Sequence, residues 1–123
     1  MFTYFDIPEY SCDEEITNLV KLDGHVCKKD ILRKTSTSKK NLHIILANNI
    51  ISDNNNYKLN NYIPIVFWGK LAKEADNLSV NDMIEIEGQL HSRNYSKLNS
   101  VTGEQEIKVA HEVIVTKFKK VIN

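Results

Sequence analysis

The chain has 123 residues, 41% apolar and 26% charged, which fits one small domain with a single core and excludes wholesale disorder. It has no apolar run of about eighteen residues, and its start, MFTYFDIPEY, lacks the basic residues and apolar centre of a signal peptide. We therefore expect a soluble, cytoplasmic protein with no membrane partner. Cys12 and Cys27 have no cysteine or histidine at metal-binding spacing, so neither a metal site nor a cofactor is expected.

The formal net charge of zero hides an uneven distribution. Residues 1–16 contain five acidic side chains and no lysine or arginine, which leaves 16 basic and 11 acidic residues, a surplus of five positive charges, in the rest. We predict an acidic N-terminal extension over residues 1–17 and one domain over 18–123. The surplus is enough to attract phosphate but does not by itself identify a partner.

Two strands are predicted at the start of the domain. Apolar and polar residues alternate over 18–26, and Gly24 within this segment is typical of a bend in a small barrel. The strand is expected to resume over 31–35, and a second strand is predicted over 42–47. The asparagine-rich segment 48–61 that follows predicts an exposed hairpin loop.

The clearest alternation lies in residues 62–68 and predicts a third strand with two distinct faces. One face carries Tyr62, Pro64, Val66 and Trp68, and the other carries Ile63, Ile65 and Phe67. Gly69 ends this strand, and the spacing of apolar residues predicts a short helix over 70–78.

The last predicted elements complete a recognisable order. They are a fourth strand over 83–90 with a polar exit to Tyr95, a loop over 96–104, and a fifth strand over 107–118. Five strands with one helix between the third and the fourth is the order of an all-β fold, the five-stranded Greek-key barrel called the OB-fold. Order alone leaves other small barrels open, and the long loops on either side of the third strand favour the OB-fold.

Aromatic rings and cations on one sheet face are what binding to unpaired nucleic acid requires, since every base has a stackable face and every nucleotide a phosphate. The candidate stacking residues are Tyr62, Trp68 and Tyr95, together with Tyr57, which with Lys58 gives the predicted loop a ring and a cation. The candidate phosphate-binding residues are Lys28, Lys29, Arg33, Lys70, Lys73, Arg93 and Lys97. For each lysine a solvated surface position is the alternative, and for Tyr57 a solvated loop tip.

No group of residues predicts catalysis. The four histidines show no metal spacing, and Glu85 and Glu87 share a strand face without a nucleophile or a glycine-rich phosphate loop nearby. We therefore expect that the protein is not an enzyme.

Three segments resemble bacterial single-stranded DNA-binding proteins, in the same order along the chain. They are NLVKLDGHV over 18–26, FWGKLA over 67–72 and IEGQLHSRNY over 86–95. The resemblance implies sequence-nonspecific binding and protection of single-stranded DNA in replication, recombination or repair. It also implies a homo-oligomer, a dimer or a tetramer, formed by pairing of first strands.

The resemblance gives roles to single residues. Tyr62, Trp68 and Tyr95 match aromatic positions of the family that contact DNA. The matching basic positions are Arg33, Lys70 and Arg93.

The sequence also departs from the family's pattern. Ser52 stands near a stacking tryptophan of the family, Pro64 where an arginine is frequent, and Ile63 where a histidine lies near a subunit interface. The sequence ends in KKVIN without an acidic tail, so we expect a tail-less variant that does not recruit replication or repair proteins through such a tail. The alternative function is an OB-fold assembly adaptor of the primosomal replication-restart type, which the missing tail and the neutral total charge favour.

Overall fold

The structure, a computed structural model, describes residues 16–52 and 57–122, except for the side chains of Ser52 and Tyr57. Residues 1–15 of the predicted extension and the predicted stacking ring of Tyr57 lie outside the described part. The elements are β1 (Val20–Lys29), β2 (Arg33–Lys34), β3 (Lys40–Ser52), β4 (Tyr57–Trp68), α1 (Lys70–Ala75), β5 (Met83–Leu98) and β6 (Gln105–Lys120).

The strands form a closed barrel with the order β1-β5-β6-β4-β3, and the two-residue strand β2 is added at the edge of β3. A second pairing, of β1 with β3, closes the barrel. This architecture, with α1 between the third and fourth barrel strands, confirms the predicted OB-fold. Within the described residues, α1 is the one helix, and its six residues are too few to cross a membrane.

β1 closes the barrel by changing its partner half-way. Residues 20–25 pair with β5, and residues 25–29 pair with β3. A Cβ atom at Gly24 would lie 2.3 Å from the backbone oxygen of Ala47, so a side chain here would prevent the two strands from approaching. Gly24 therefore lies next to the point where β1 changes its partner, and the bend expected there stays a prediction.

The core fills the barrel and extends under α1. Phe67 is fully buried and meets the ring of Phe118 edge-on, with 5.1 Å between ring centroids. Ala72 and Ala75 bury the inner side of α1, which ends three residues earlier than the predicted boundary at 78. The other buried members of the cluster are Val26, Leu42, Ile44, Leu46, Ile65, Leu78, Ile84, Ile86, Val113 and Val115.

Both long hairpins contain more strand than expected. The prediction of a loop over 48–61 is wrong, because residues 48–52 continue β3 and residues 57–61 begin β4. Asparagine-rich composition concealed these strands, since backbone hydrogen bonds do not depend on the side chains. In the same way, β5 continues to Leu98 and β6 begins at Gln105, which shortens the second predicted loop.

Candidate nucleic-acid interface

The outer surface of β3 and β4 carries two of the predicted aromatic residues. Leu42, Ile44 and Leu46 of β3 point into the core, so the residues between them point outward. Directly opposite residues in antiparallel strands share a face. Three rows of side chains therefore cross the outer surface: Arg33, Asn41 and Trp68; Lys28, Ile45 and Pro64; and His25, Ala47 and Tyr62.

A β-bulge in β1 decides which of two neighbouring lysines joins this surface. The register shifts between Val26 and Lys28, so that Lys28 lies opposite outward-facing Ile45, while Lys29 lies opposite buried Ile44. The ammonium of Lys29 donates to the backbone oxygen of Asp76 and lies 3.4 Å from its carboxylate, at the end of α1. The Lys29 side chain is only 20% exposed. Lys29 is thus engaged with the barrel, whereas Lys28 is exposed.

Tyr62 and Trp68 lie on the same face of β4, Tyr62 in the middle of the strand and Trp68 at its end. Tyr62 is 61% exposed and Trp68 is half-buried. Six residues of strand separate them by about 20 Å, so the two rings would meet different bases of a bound strand. Val66, between them in the sequence, shares their face as predicted. Its side chain is buried, however, between His43 of β3 and Ile114 of β6.

A cation that the sequence did not single out lies over the tryptophan. The Lys39 ammonium is 5.2 Å from the centroid of the Trp68 ring, at a distance that permits a cation–π interaction. Lys39 precedes β3 in a turn where Ser38 has a φ of 65°. Beside them, the side-chain oxygen of Asn41 is buried without a hydrogen-bond partner among the described residues.

The predicted residues Arg93 and Tyr95 lie on the second hairpin, which we call the β5–β6 ribbon (residues 89–98 and 105–114). Every residue from 89 to 98 is exposed. The outer face of the ribbon carries His91, Arg93, Tyr95 and Lys97 opposite Glu112, Ala110, Lys108 and Glu106. It joins the surface of β4 through Ile114, which pairs with both Val66 and Gln89.

Arg93 is held between a carboxylate and a ring. Its Nε donates a hydrogen bond of 3.1 Å to Oε1 of Glu112, and its guanidinium lies 5.8 Å from the centroid of the Tyr95 ring. The Glu112 side chain is 7% exposed, while that of Arg93 is 46% exposed. A buried carboxylate requires a partner, so Glu112 restrains the guanidinium beside Tyr95.

Other cations of the surface are also paired. Arg33 lies 3.3 Å from the Asp30 carboxylate, whose pKa is lowered by the hydrogen bond from the Ile31 backbone and by Arg33. Lys108 lies 3.2 Å from Glu106, whose pKa is lowered by hydrogen bonds from Asn99 and from Lys108. Carboxylates with lowered pKa values stay charged at neutral pH, so these pairs reduce the net positive charge of the surface.

The structure thus groups the predicted residues into three sets. Lys28, Arg33, Tyr62 and Trp68, together with Lys39, form a surface that we call the barrel patch. Arg93, Tyr95 and Lys97 lie on the outer face of the ribbon. Lys70 and Lys73 are exposed on α1, and Lys29 lies at the C-terminal end of α1.

Sequence reasoning missed Lys39, Asn41 and Glu112. Of these, only Glu112 could have been identified from the sequence, because it is an acidic residue within the apolar segment VAHEVIV over 109–115. A charged side chain in such a segment is buried only when it is paired. Among residues 16–52 and 57–122, no three histidine, cysteine or acidic side chains are grouped to hold a metal ion.

Comparisons with known proteins agree with the observed fold. Two solved structures of PriB from Ralstonia solanacearum are similar to this chain, with TM-scores of 0.64 and 0.63 at 13% and 12% identity. They cover 86% and 85% of this chain and 100% and 98% of their own length, and at this identity they show a shared fold. No curated protein sequence matches the chain. The model of the single-strand binding protein family matches residues 17–120, and the chain therefore belongs to the single-strand binding protein family.

Proposed function

We propose that this protein binds and protects single-stranded DNA without strong sequence preference, as a non-catalytic cytoplasmic protein of replication, recombination or repair. The observation that carries the proposal is the continuous outer surface that joins the barrel patch to Arg93 and Tyr95 through Ile114. Bases stack on the three rings, and each stacked base contributes about 1–3 kcal/mol of binding free energy.

Phosphate contacts complete the interface in this proposal. Lys28 and Lys39 are exposed members of the barrel patch, and the Lys39 ammonium lies over the Trp68 ring, while Arg33 and Arg93 share their charge with Asp30 and Glu112. Lys70, Lys73 and Lys97 are exposed and extend the positive charge toward α1 and the ribbon tip. Lys29 has the weakest support, because its ammonium is already engaged with Asp76.

Fluorescence of the single tryptophan tests the proposal directly, because Trp68 lies in the barrel patch. We expect strong, saturable quenching by oligo-dT, since a stacked base and the departure of Lys39 both change the environment of the ring. A duplex of the same length is the control. Unchanged fluorescence up to tens of micromolar oligo-dT, with no binding by anisotropy of a labelled oligonucleotide, would contradict the proposal.

We further propose that the protein is a homo-oligomer, a dimer or a tetramer, formed through β1. Within residues 16–52 and 57–122, residues 20–24 pair with β5 on one edge only, and the Asn48 side chain covers part of the other edge by donating to the Asp23 backbone oxygen at 2.8 Å. An unpaired strand edge is a template for pairing with a second copy. Light scattering is expected to give a multiple of the 14.2 kDa chain mass; a monomer at micromolar concentration would contradict this.

A second candidate function, an assembly adaptor that acts mainly through protein partners, is favoured by the inner face of the ribbon. Leu90, Leu98, Ile107 and Val109 lie on this face and are all more than half exposed. Exposed apolar residues that form a stripe are typical of protein interaction sites. The quenching titration separates the two functions, because an adaptor leaves Trp68 unaffected by oligo-dT.

A further inference from the structure

Glu112 is the only charged side chain buried among residues 16–52 and 57–122, and it faces the proposed DNA-binding surface. It lies opposite His91 in the β5–β6 pairing, two pairs away from Arg93 and Ala110 and on the same face of the ribbon. A phosphate-binding surface gains nothing from a carboxylate unless the carboxylate acts on one of its cations. The position of Glu112 therefore requires an explanation.

The contact with Arg93 supplies this explanation. Glu112 accepts from Nε of Arg93, which leaves the two terminal nitrogens of the guanidinium without hydrogen bonds in the described part of the chain. The guanidinium remains over Tyr95 and is 46% exposed. The carboxylate thus fixes the orientation of Arg93 and at the same time cancels its charge, and a buried charge is screened little by salt.

We propose that Glu112 is a positioning residue that makes Arg93 a neutralised stacking partner of Tyr95 instead of a phosphate-binding cation. This inference rests on the proposed binding of single-stranded DNA. In the wild-type protein the Arg93–Glu112 pair adds a flat, hydrogen-bonding surface next to the Tyr95 ring but releases no counterion. Glu112 thereby limits both the affinity of the ribbon for DNA and its salt dependence.

The variant Glu112→Gln separates the two effects of the carboxylate. The amide oxygen still accepts from Nε of Arg93, but the charge of Arg93 is no longer cancelled. We expect oligo-dT to bind tighter at about 50 mM salt, by on the order of 3- to 10-fold. The slope of log affinity against log salt should steepen by about 0.7, the value for one added phosphate contact, so that between about 50 and 200 mM salt the variant loses about 2.6-fold more affinity than the wild type.

Two further variants make the result specific. In the double variant Arg93→Gln with Glu112→Gln, both charges are removed, so the salt dependence should have the wild-type slope. This variant should also fold more stably than a single one, because replacing both partners of a buried ion pair leaves no unpaired charge. Glu85→Gln is the control, because it also removes one carboxylate charge, and Glu85 lies on β5, the strand of Arg93, where it pairs with exposed Lys119 at 3.6 Å, away from the ribbon. It should leave the slope unchanged.

The outcomes distinguish this inference from the function on which it rests. If wild-type protein fails to bind oligo-dT, the proposed function is wrong. If the wild type binds and Glu112→Gln leaves the slope unchanged, or if Glu85→Gln steepens it equally, the positioning role is overturned. A double variant whose slope falls by about 0.7 below that of the wild type would also overturn it, because Arg93 would then contact a phosphate despite Glu112.

Discussion

The barrel patch and the β5–β6 ribbon present the same kinds of side chain on very different supports. Trp68 follows Phe67, whose ring is fully buried, so the strand that carries the tryptophan is anchored in the core. Tyr95 lies in a segment whose residues are all exposed from 89 to 98, held by cross-strand hydrogen bonds and by the Arg93–Glu112 pair. The barrel patch is therefore positioned by packing, and the ribbon is positioned by polar contacts.

This difference predicts where a substitution affects folding and where it affects binding alone. Because the inner faces of its strands are deeply buried, the barrel patch depends on the core beneath it. The ribbon has no buried apolar layer between 89 and 98, so changes there should leave the barrel folded.

The largest effect is expected for Phe67→Ala. This substitution removes a fully buried ring that contacts Phe118, and it should lower the free energy of unfolding by about 3–5 kcal/mol. Urea denaturation followed by circular dichroism measures the change. A loss smaller than about 1 kcal/mol would show that packing does not support the barrel patch as described.

The second-largest effect is expected on the affinity for single-stranded DNA. Trp68→Ala should weaken binding of oligo-dT about tenfold or more, because a stacked ring contributes about 1–3 kcal/mol. Anisotropy of a labelled oligonucleotide measures the affinity, since the variant lacks the only tryptophan. Trp68→Phe is the control and should retain most of the affinity; equal losses for both variants would exclude stacking as the cause.

A smaller loss is expected on the ribbon. Tyr95→Ala should weaken binding about fivefold, near the lower end of the range for a stacked ring, because part of the binding free energy is spent in ordering an exposed hairpin. The control Tyr95→Phe keeps the ring and should bind as the wild type does. If Tyr95→Ala weakens binding more than Trp68→Ala, the ribbon contributes more than the barrel patch and the comparison is reversed.

Much of the arrangement of the barrel patch could be predicted from local sequence. The alternation of residues 62–68 predicted which side chains face outward, and the position of Gly69 predicted the end of β4. These features depend on neighbouring residues of one strand. For this reason the outward direction of Tyr62 and Trp68 could be predicted from the sequence, and the order of such strands predicted the fold class.

Other features depend on partners that are distant in the chain. The bulge that separates the roles of Lys28 and Lys29 exists only because β1 pairs with β3. The contact of Arg93 with Glu112, 19 residues later, depends on the register of β5 and β6. The position of Lys39 over Trp68 depends on the turn before β3. Alternation within one strand contains no information on register, so these contacts could not be predicted.

The smallest effect is expected on the inner face of the ribbon. Ile107 is 76% exposed there, so Ile107→Thr, which keeps a β-branched side chain, should change the free energy of unfolding by no more than about 0.5 kcal/mol. Affinity for oligo-dT should stay the same, because Ile107 lies opposite Ser96, on the face away from Arg93 and Tyr95. The same anisotropy titration and urea denaturation measure both quantities. Weaker DNA binding by this variant would show that DNA contacts both faces of the ribbon, whereas unchanged DNA binding with a lower oligomer mass would identify the apolar face as a contact between copies of the chain.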